Sequence, residues 1–490
     1  MNSLSKAMTK DPKHPHHGIA KFNLLSKIVY HVGGTDEDEI RTFANNRDLS
    51  FSQGNTFLFA GIAGAGQKGL NEEGEMDAEE KREMRELAKA ISPQSECRHT
   101  DCTKCLLTRG LKGINNLAPR LASDAYEAIE RLFNTSPDKD KATMDLQQTY
   151  YPLVFRFTVR VMGMAEYASR PAELKKLFDA FWLTQRNSGY WTTILPWIPQ
   201  PRLLKRLYGA FTLWSMVRKT LKERIASGHR EDDYAQDLID RKVSPSVISR
   251  FVIGGLIAGI LNTIGTGAYS VAYVGADEKL QKECKDGLFA GLRRSCESRG
   301  DDYDDLTPLE RLQRVQLEEW ETYEEFTILH LVFKESIRLL LTNSLNRYYP
   351  GPSYNKDGSR KERLKLYGQE IEDDVYVTFS PPSNLHDADS FPDPWTFNPY
   401  RYKPGQGDTE YNYVAWGVGI HRCTGIRFAK LETIIALAAF VLFTDLKTIN
   451  EKGQPYSLQQ VPLPDLSQGH WRSPTKPMKI EIRRPQRVDA

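Results

Sequence analysis

Cys423 stands in the run Ala415-Trp416-Gly417-Val418-Gly419-Ile420-His421-Arg422-Cys423-Thr424-Gly425, ahead of an apolar helical pattern. Gly417 and Gly419 permit a tight backbone turn. Gly425 lets the chain pass close to a planar ligand. A helix starting just after the cysteine turns its N-terminal dipole and free N–H groups toward the sulfur, which favours thiolate over thiol. A thiolate held this way can be the single axial ligand of a haem iron. A buried structural cysteine in a glycine-rich turn accounts for the same residues equally well, and the turn alone does not decide.

Cys97, Cys102 and Cys105, with His99 between them, have the spacing C-x4-C-x2-C. That is a plant-type iron–sulfur spacing and also invites zinc. The fourth ligand is missing, since the next cysteine, Cys284, lies far downstream in a helical stretch. Ordinary cysteines at the start of a helix are the default reading. Glu335 and Arg338, three apart on an amphipathic stretch, share one helix face. If buried, such a pair needs further bonds, and Arg401 can supply a second cation.

The elements that must carry these residues are mostly helical. Residues 104–224 read as helices, interrupted by a proline-broken apolar loop at Trp191–Ile198. Phe251–Val274 is apolar on nearly all faces and reads as a buried central helix. Each glycine weakens a helix by about 1 kcal/mol. Gly254, Gly255, Gly259, Gly265 and Gly267 therefore need a reason: tight helix packing, or the approach of a bulky flat group. Tyr323–Leu341 and Ile426–Thr444 read as helices, 355–380 as short strands, and Phe391–Tyr402 as ordered irregular chain. The fold class is mainly α with a small β region, and a long buried central helix.

Composition excludes several classes. The chain has 490 residues, Lys+Arg 66 against Asp+Glu 64, and six cysteines. Near-neutral charge argues against nucleic-acid binding by a bulk basic field. Charged residues at 27% with 10% aromatics exclude a low-complexity chain. Six cysteines are no disulfide framework. No run reaches the roughly 18–20 apolar residues of a membrane span, and the polar N-terminus lacks the apolar core of a signal peptide.

Four motifs in order make the chain resemble the cytochrome P-450 superfamily. Trp416-x-x-Gly419-x-His421-x-Cys423-x-Gly425 matches the cysteine pattern, with Trp in place of Phe. Glu335-Ser336-Ile337-Arg338 matches E-x-x-R, Phe397–Tyr402 matches F-x-P-x-R-[FY], and His386–Pro394 resembles the approach to it. The resemblance covers about residues 20–485. It implies haem b (iron protoporphyrin IX) with Cys423 as the metal ligand, and Trp416, Gly419 and Gly425 against the cofactor. His421 and Arg347 would meet the haem propionates, with Lys104 (or Arg98) as the helix-C cation. Glu335, Arg338 and Arg401 would form a structural network. A single domain from residue 21 to 490 is implied after a tail of 1–20, β-rich at about 21–60 and 345–385.

The family's oxygen-activating stretch, (A/G)-G-x-(D/E)-T, reads here Ala258-Gly259-Ile260-Leu261-Asn262-Thr263. Leu261 takes the acid position and Asn262 the alcohol position. Asn262-Thr263-Ile264 resembles the cholesterol 7α-hydroxylase and prostacyclin synthase branch, and other segments resemble fungal members and the sterol 14-demethylase branch. Asn262, helped by Thr263, is the catalytic candidate. The resemblance implies a monooxygenase that takes electrons from NADPH through an NADPH–cytochrome reductase and acts on a lipophilic sterol, terpenoid or secondary metabolite. The alternative is an isomerase or peroxide-using enzyme without a reductase. Phe57, Phe59, Phe181, Trp182, Leu341–Leu345 and Ser467–Trp471 are the lining candidates by position. Trp191 and Trp197 suggest peripheral membrane contact. The family implies the endoplasmic reticulum surface, and the lack of an anchor in the sequence points to the cytoplasm.

Overall fold

The computed structural model describes residues 18–24, 27–51, 53–54, 117–188, 198, 200–355, 357–402, 409, 411–465 and 474–485. These residues group into two compact units. The first strand opens at Gly18, inside the stretch expected to be tail.

One unit gathers described residues of 1–76, 187–204 and 337–423. Its sheet runs Gly18–Leu24, Lys27–Gly33, Val375–Phe379, Leu345–Tyr349 in spatial order. The outer pairs are antiparallel and the central pair parallel. Val377 sits in register with both Tyr30 and Arg347. The core on this sheet is Tyr30, Val32, Phe43, Tyr349, Val375 and Phe379. The helix Glu37–Asn45 is started by Asp36, whose carboxylate accepts from the Asp38 and Glu39 N–H groups at 3.0 Å. That cap satisfies orphan donors, and the acidic first turn suits the dipole. Ile40, Phe43 and Ala44 form its buried face. Ser50 and Tyr348 exchange backbone hydrogen bonds at 2.8 and 3.0 Å, which holds Phe51 and Gly54 alongside the strand of Arg347.

The other unit gathers described residues of 77–186, 205–336 and 424–490. Its central helix spans Pro245–Val274, with Pro245 at the first position and a Ser244 cap. It packs against the helices Tyr151–Met162 and Ile426–Phe443. A Cβ on Gly255 would lie 2.3 Å from the Met162 sulfur, one on Gly259 3.0 Å from Thr158, and one on Gly267 2.3 Å from the Tyr150 hydroxyl. Close helix packing therefore explains three of the five glycines. A Cβ on Gly254 would meet nothing within 4 Å.

Three expectations need correction here. The central helix is buried all round only from Thr263 onward; Ala258 and Asn262 are exposed, so its first half leaves one face open. By length and composition this helix could cross a bilayer, although no span was expected. Glycine and hydroxyl residues hid its mean hydropathy from a search for clean apolar runs, and its buried second half gives it the packing of a core helix. A second sheet, Lys141–Met144, Lys479–Arg483 and Asp445–Ile449, lies in segments expected to be helical. Its pairing is non-local, so no local pattern announces it.

Candidate functional site

In the first unit the thiol loop is built by two short turns, Val414–Trp416 and Gly419–His421. Gly417 and Gly419 hold φ of 69° and 66°, conformations that other residues rarely adopt. Gly419 also lies against the helix Glu37–Asn45, where a Cβ would be 2.6 Å from Asn45 Oδ1. The Cys423 N–H donates to the Trp416 carbonyl at 2.7 Å, folding the loop back on itself. Cys423 itself is exposed, not buried. In sequence the helix Ile426–Phe443 follows at once, with Gly425 at its cap. A Cβ on Gly425 would meet nothing within 4 Å, so packing within the chain does not require a glycine there.

Arg347 is 2% exposed. One nitrogen donates to the Asn346 carbonyl at 2.9 Å, and its buried Nε has no partner. Phe43 and Phe51 lie 5.3 and 5.0 Å from its guanidinium carbon. Burial pushes its pKa down to about 10. The His421 ring stacks on Phe51 at 5.4 Å. Burial, then the Arg347 charge, lowers its pKa to about 4. No acidic side chain among the described residues pairs with Arg347. A buried cation without an anion is costly, and it is satisfied when a carboxylate arrives. Haem brings two propionates, so the donors present fit that group. Lys104, Arg98, the Cys97–Cys105 cluster, Phe57, Phe59, Trp191, Trp197 and Ser467–Trp471 lie outside the described residues.

Replacing Arg347 by Met should therefore act with opposite signs. Haem-free protein should keep its stability or gain about 1–4 kcal/mol. Haem retention should weaken by about 2–5 kcal/mol, the cost of truncating one side of a buried charge pair. Melting of haem-free protein and haem transfer to a scavenging apoglobin measure the two.

Arg338 and Arg401 clasp one irregular segment. Arg338 donates to the carbonyls of Leu385 at 2.9 Å, Pro394 at 2.6 Å and Thr396 at 3.4 Å. Arg401 donates to Pro392 at 2.9 Å and Thr396 at 3.1 Å. Glu335 stands one turn before Arg338 on the helix Thr327–Leu340 and is fully buried. His386 Nε2 lies 3.0 Å from the Arg338 carbonyl, a contact that needs a proton on that nitrogen. Burial, then the Arg338 charge, lowers its pKa to about 4. The folded state thus resists a second proton. Stability is present above the ordinary value of 6.5 and is lost as pH falls through about 4. Urea midpoints across that window should fall, and His386→Gln should flatten the slope.

In the second unit, Asn262 is exposed on the same face as Gly254 and Ala258, and its amide donates to the Ala258 carbonyl at 3.1 Å. Thr263 does not share that face. It is 5% exposed and donates to the Gly259 carbonyl at 2.5 Å. Successive residues on a helix of 3.6 per turn point apart, and the helix stays α-helical here, without the local rewinding that would bring Thr263 in beside Asn262. Thr263 instead bonds with Glu432, which is completely buried. Burial pushes the Glu432 carboxyl well up, and bonds with Thr263 and Thr158 offset part of that. Thr158 Oγ1 lies 3.4 Å from Glu432 Oε2. The sequence reading missed Glu432; the single acid inside the apolar pattern of Ile426–Phe443 was its signal. Phe181 and Trp182, expected to line a substrate site, are 0% and 4% exposed. They sit in an aromatic cluster with Tyr151, Phe155 and Phe178, which makes them core.

A family model for cytochrome P450 matches residues 310–468, the stretch holding the arginine clasp and the thiol loop. Over that stretch the chain is similar to the cytochrome P450 superfamily. It is 26% identical over 348 residues to the cytochrome P450 monooxygenase AacuE of Aspergillus aculeatus, covering 69% of this chain and 65% of that relative. With the monooxygenase nsrP of Aspergillus novofumigatus it shares 23% over 350 residues, 70% of this chain and 63% of the relative. With lanosterol 14-alpha demethylase of Bos taurus it shares 26% over 249 residues, 49% of this chain and 44% of that one. The matched part of this chain thus spans less than two thirds of those relatives' lengths. P450s are haem-thiolate proteins, and the mainly α architecture with small sheets is theirs.

Proposed function

We propose that this chain is a haem-thiolate monooxygenase that oxidises a lipophilic small molecule of the sterol, terpenoid or secondary-metabolite kind, with electrons from NADPH delivered by a reductase. The observation that carries the reading is the buried Arg347 cation, without an anion among the described residues, beside His421 and in the same unit as the exposed thiol of Cys423. The monooxygenase names of its relatives support it.

In this reading Cys423 ligates the iron, with Trp416, Gly419 and Gly425 shaping the turn. Arg347 and His421 hold the propionates. When bound, the haem supplies reductive activation of dioxygen. Asn262 holds water by hydrogen bonding on the open face of the central helix. Its amide is a poor acid, so it orders a proton path and is not the proton source. Thr263 acts through Glu432 as a positioning residue.

Leu261 at the acid position favours a second reading, a peroxide isomerase that needs no reductase. Turnover with NADPH and a reductase against a panel of sterols, terpenoids and peptide-derived metabolites separates the two. Oxygenated product that requires NADPH supports the monooxygenase. Conversion of an organic hydroperoxide without any electron donor, and no NADPH-dependent product, supports the isomerase.

A further inference from the structure

A cleft of about 480 Å³ opens in the first unit, between residues 47–50 on one side and residues 350–354 with Arg360 on the other. That is the volume of a small-ligand site. The Ser50–Tyr348 bridge fixes one wall. The other is a short hairpin, in which the Lys361 N–H donates to the Ser353 carbonyl at 2.9 Å and Tyr354 pairs with Arg360. Gly351 leads into that hairpin with φ of 118°. A Cβ there would lie 2.9 Å from the Asp373 carboxyl carbon and 3.2 Å from Arg360 Nη2. Glycine therefore lets the Arg360–Asp373 pair, at 2.7 Å, close against the turn.

The lining divides by chemistry. Pro350, Pro352 and Tyr354 form an apolar side. The Tyr354 ring is 69% exposed and stacks on no ring or cation among the described residues. Arg47 and Arg360 supply the cations. Arg47 is exposed, and its side chain makes no hydrogen bond or ion pair among the described residues. Arg360 commits Nη2 to Asp373, while its Nε and Nη1 donate to nothing among the described residues. Asp48 is the carboxylate in the lining. It already accepts from the Ser353 N–H at 3.3 Å and lies 3.8 Å from the Lys361 ammonium, so it does not answer Arg47. Guanidinium forks match planar or tetrahedral oxyanions two N–H groups at a time. A tyrosine face beside them suits a flat ring. We propose that this cleft binds a small organic anion, an aromatic ring bearing a carboxylate or a phosphate. The proposal does not depend on the haem-thiolate reading.

Calorimetric titration of the full chain, in its haem-loaded form, with benzoate and with phenyl phosphate tests it. At least one should bind saturably at a single site, and the tighter of the two identifies the oxyanion. Phenol and inorganic phosphate each carry only part of the ligand and should bind at least about tenfold more weakly. Arg47→Gln should lower affinity roughly 10–100-fold, the loss of hydrogen bonding to a charged group. Tyr354→Ser should lower it about threefold to tenfold. Added salt should weaken binding, and the Soret band should not move. Circular dichroism checks that both variants, at exposed positions, fold. Absence of saturable binding by either anion overturns the proposal, as does phenol binding as tightly as the anions. So does binding that shifts the Soret band and survives Arg47→Gln, which would assign the anion to the haem side.

Discussion

Arg338→Ala should give insoluble or haem-free protein, destabilised by roughly 3–5 kcal/mol, the usual cost of breaking a buried charged site. Its guanidinium is fully buried and donates to three carbonyls, of Leu385, Pro394 and Thr396. The buried Leu385 carbonyl loses its donor once it is removed, so the segment loses its anchor. Arg338→Lys should rescue little, because a point ammonium cannot span acceptors that a planar fork reaches together. Arg401→Ala should cost less, since its hydrogen bonds to the same segment are exposed. Urea denaturation and haem content measure all three. An Arg338→Ala protein with an unchanged midpoint and full haem would remove the clasp from the fold's supports.

The second large effect is expected at Asn262. Asn262→Ala should bind substrate with unchanged affinity yet form product about 10²–10⁴-fold more slowly, a typical loss for a disrupted proton-delivery group. The missing reducing equivalents should appear as free hydrogen peroxide. Leu261 is buried and cannot relay protons, and Asn262 stands on the open face with Gly254 and Ala258. Thr263→Val should behave differently. Its hydroxyl faces Glu432, so the loss should register in stability more than in coupling. Efficient reductase-dependent product formation by Asn262→Ala, with no excess peroxide, would refute the role given to this amide.

How far the site was legible depended on how local its causes are. The Cys423 turn is written in Gly417 and Gly419, because positive φ leaves a mark on sequence. The central helix and the Ile426–Phe443 helix announced themselves by a long, largely apolar pattern. Arg347 was placed only by resemblance; Phe51 and Gly54 lie against it through the Ser50–Tyr348 pairing. No spacing rule predicts that bridge. Thr263 could help Asn262 only if the helix were locally wound differently, and the regular α-helix turns the two to different faces. The second sheet stayed hidden because Lys141–Met144 pairs with a strand at the far end of the chain.

Cys423 as the haem ligand is the point on which the functional reading turns. The ferrous carbon monoxide spectrum of wild-type protein and of Cys423→Ala tests it most directly, with no substrate or reductase partner needed. A red-shifted, thiolate-type Soret band should be present in the wild type and absent from Cys423→Ala. A Cys423→Ala protein that keeps that band would contradict thiolate ligation by Cys423.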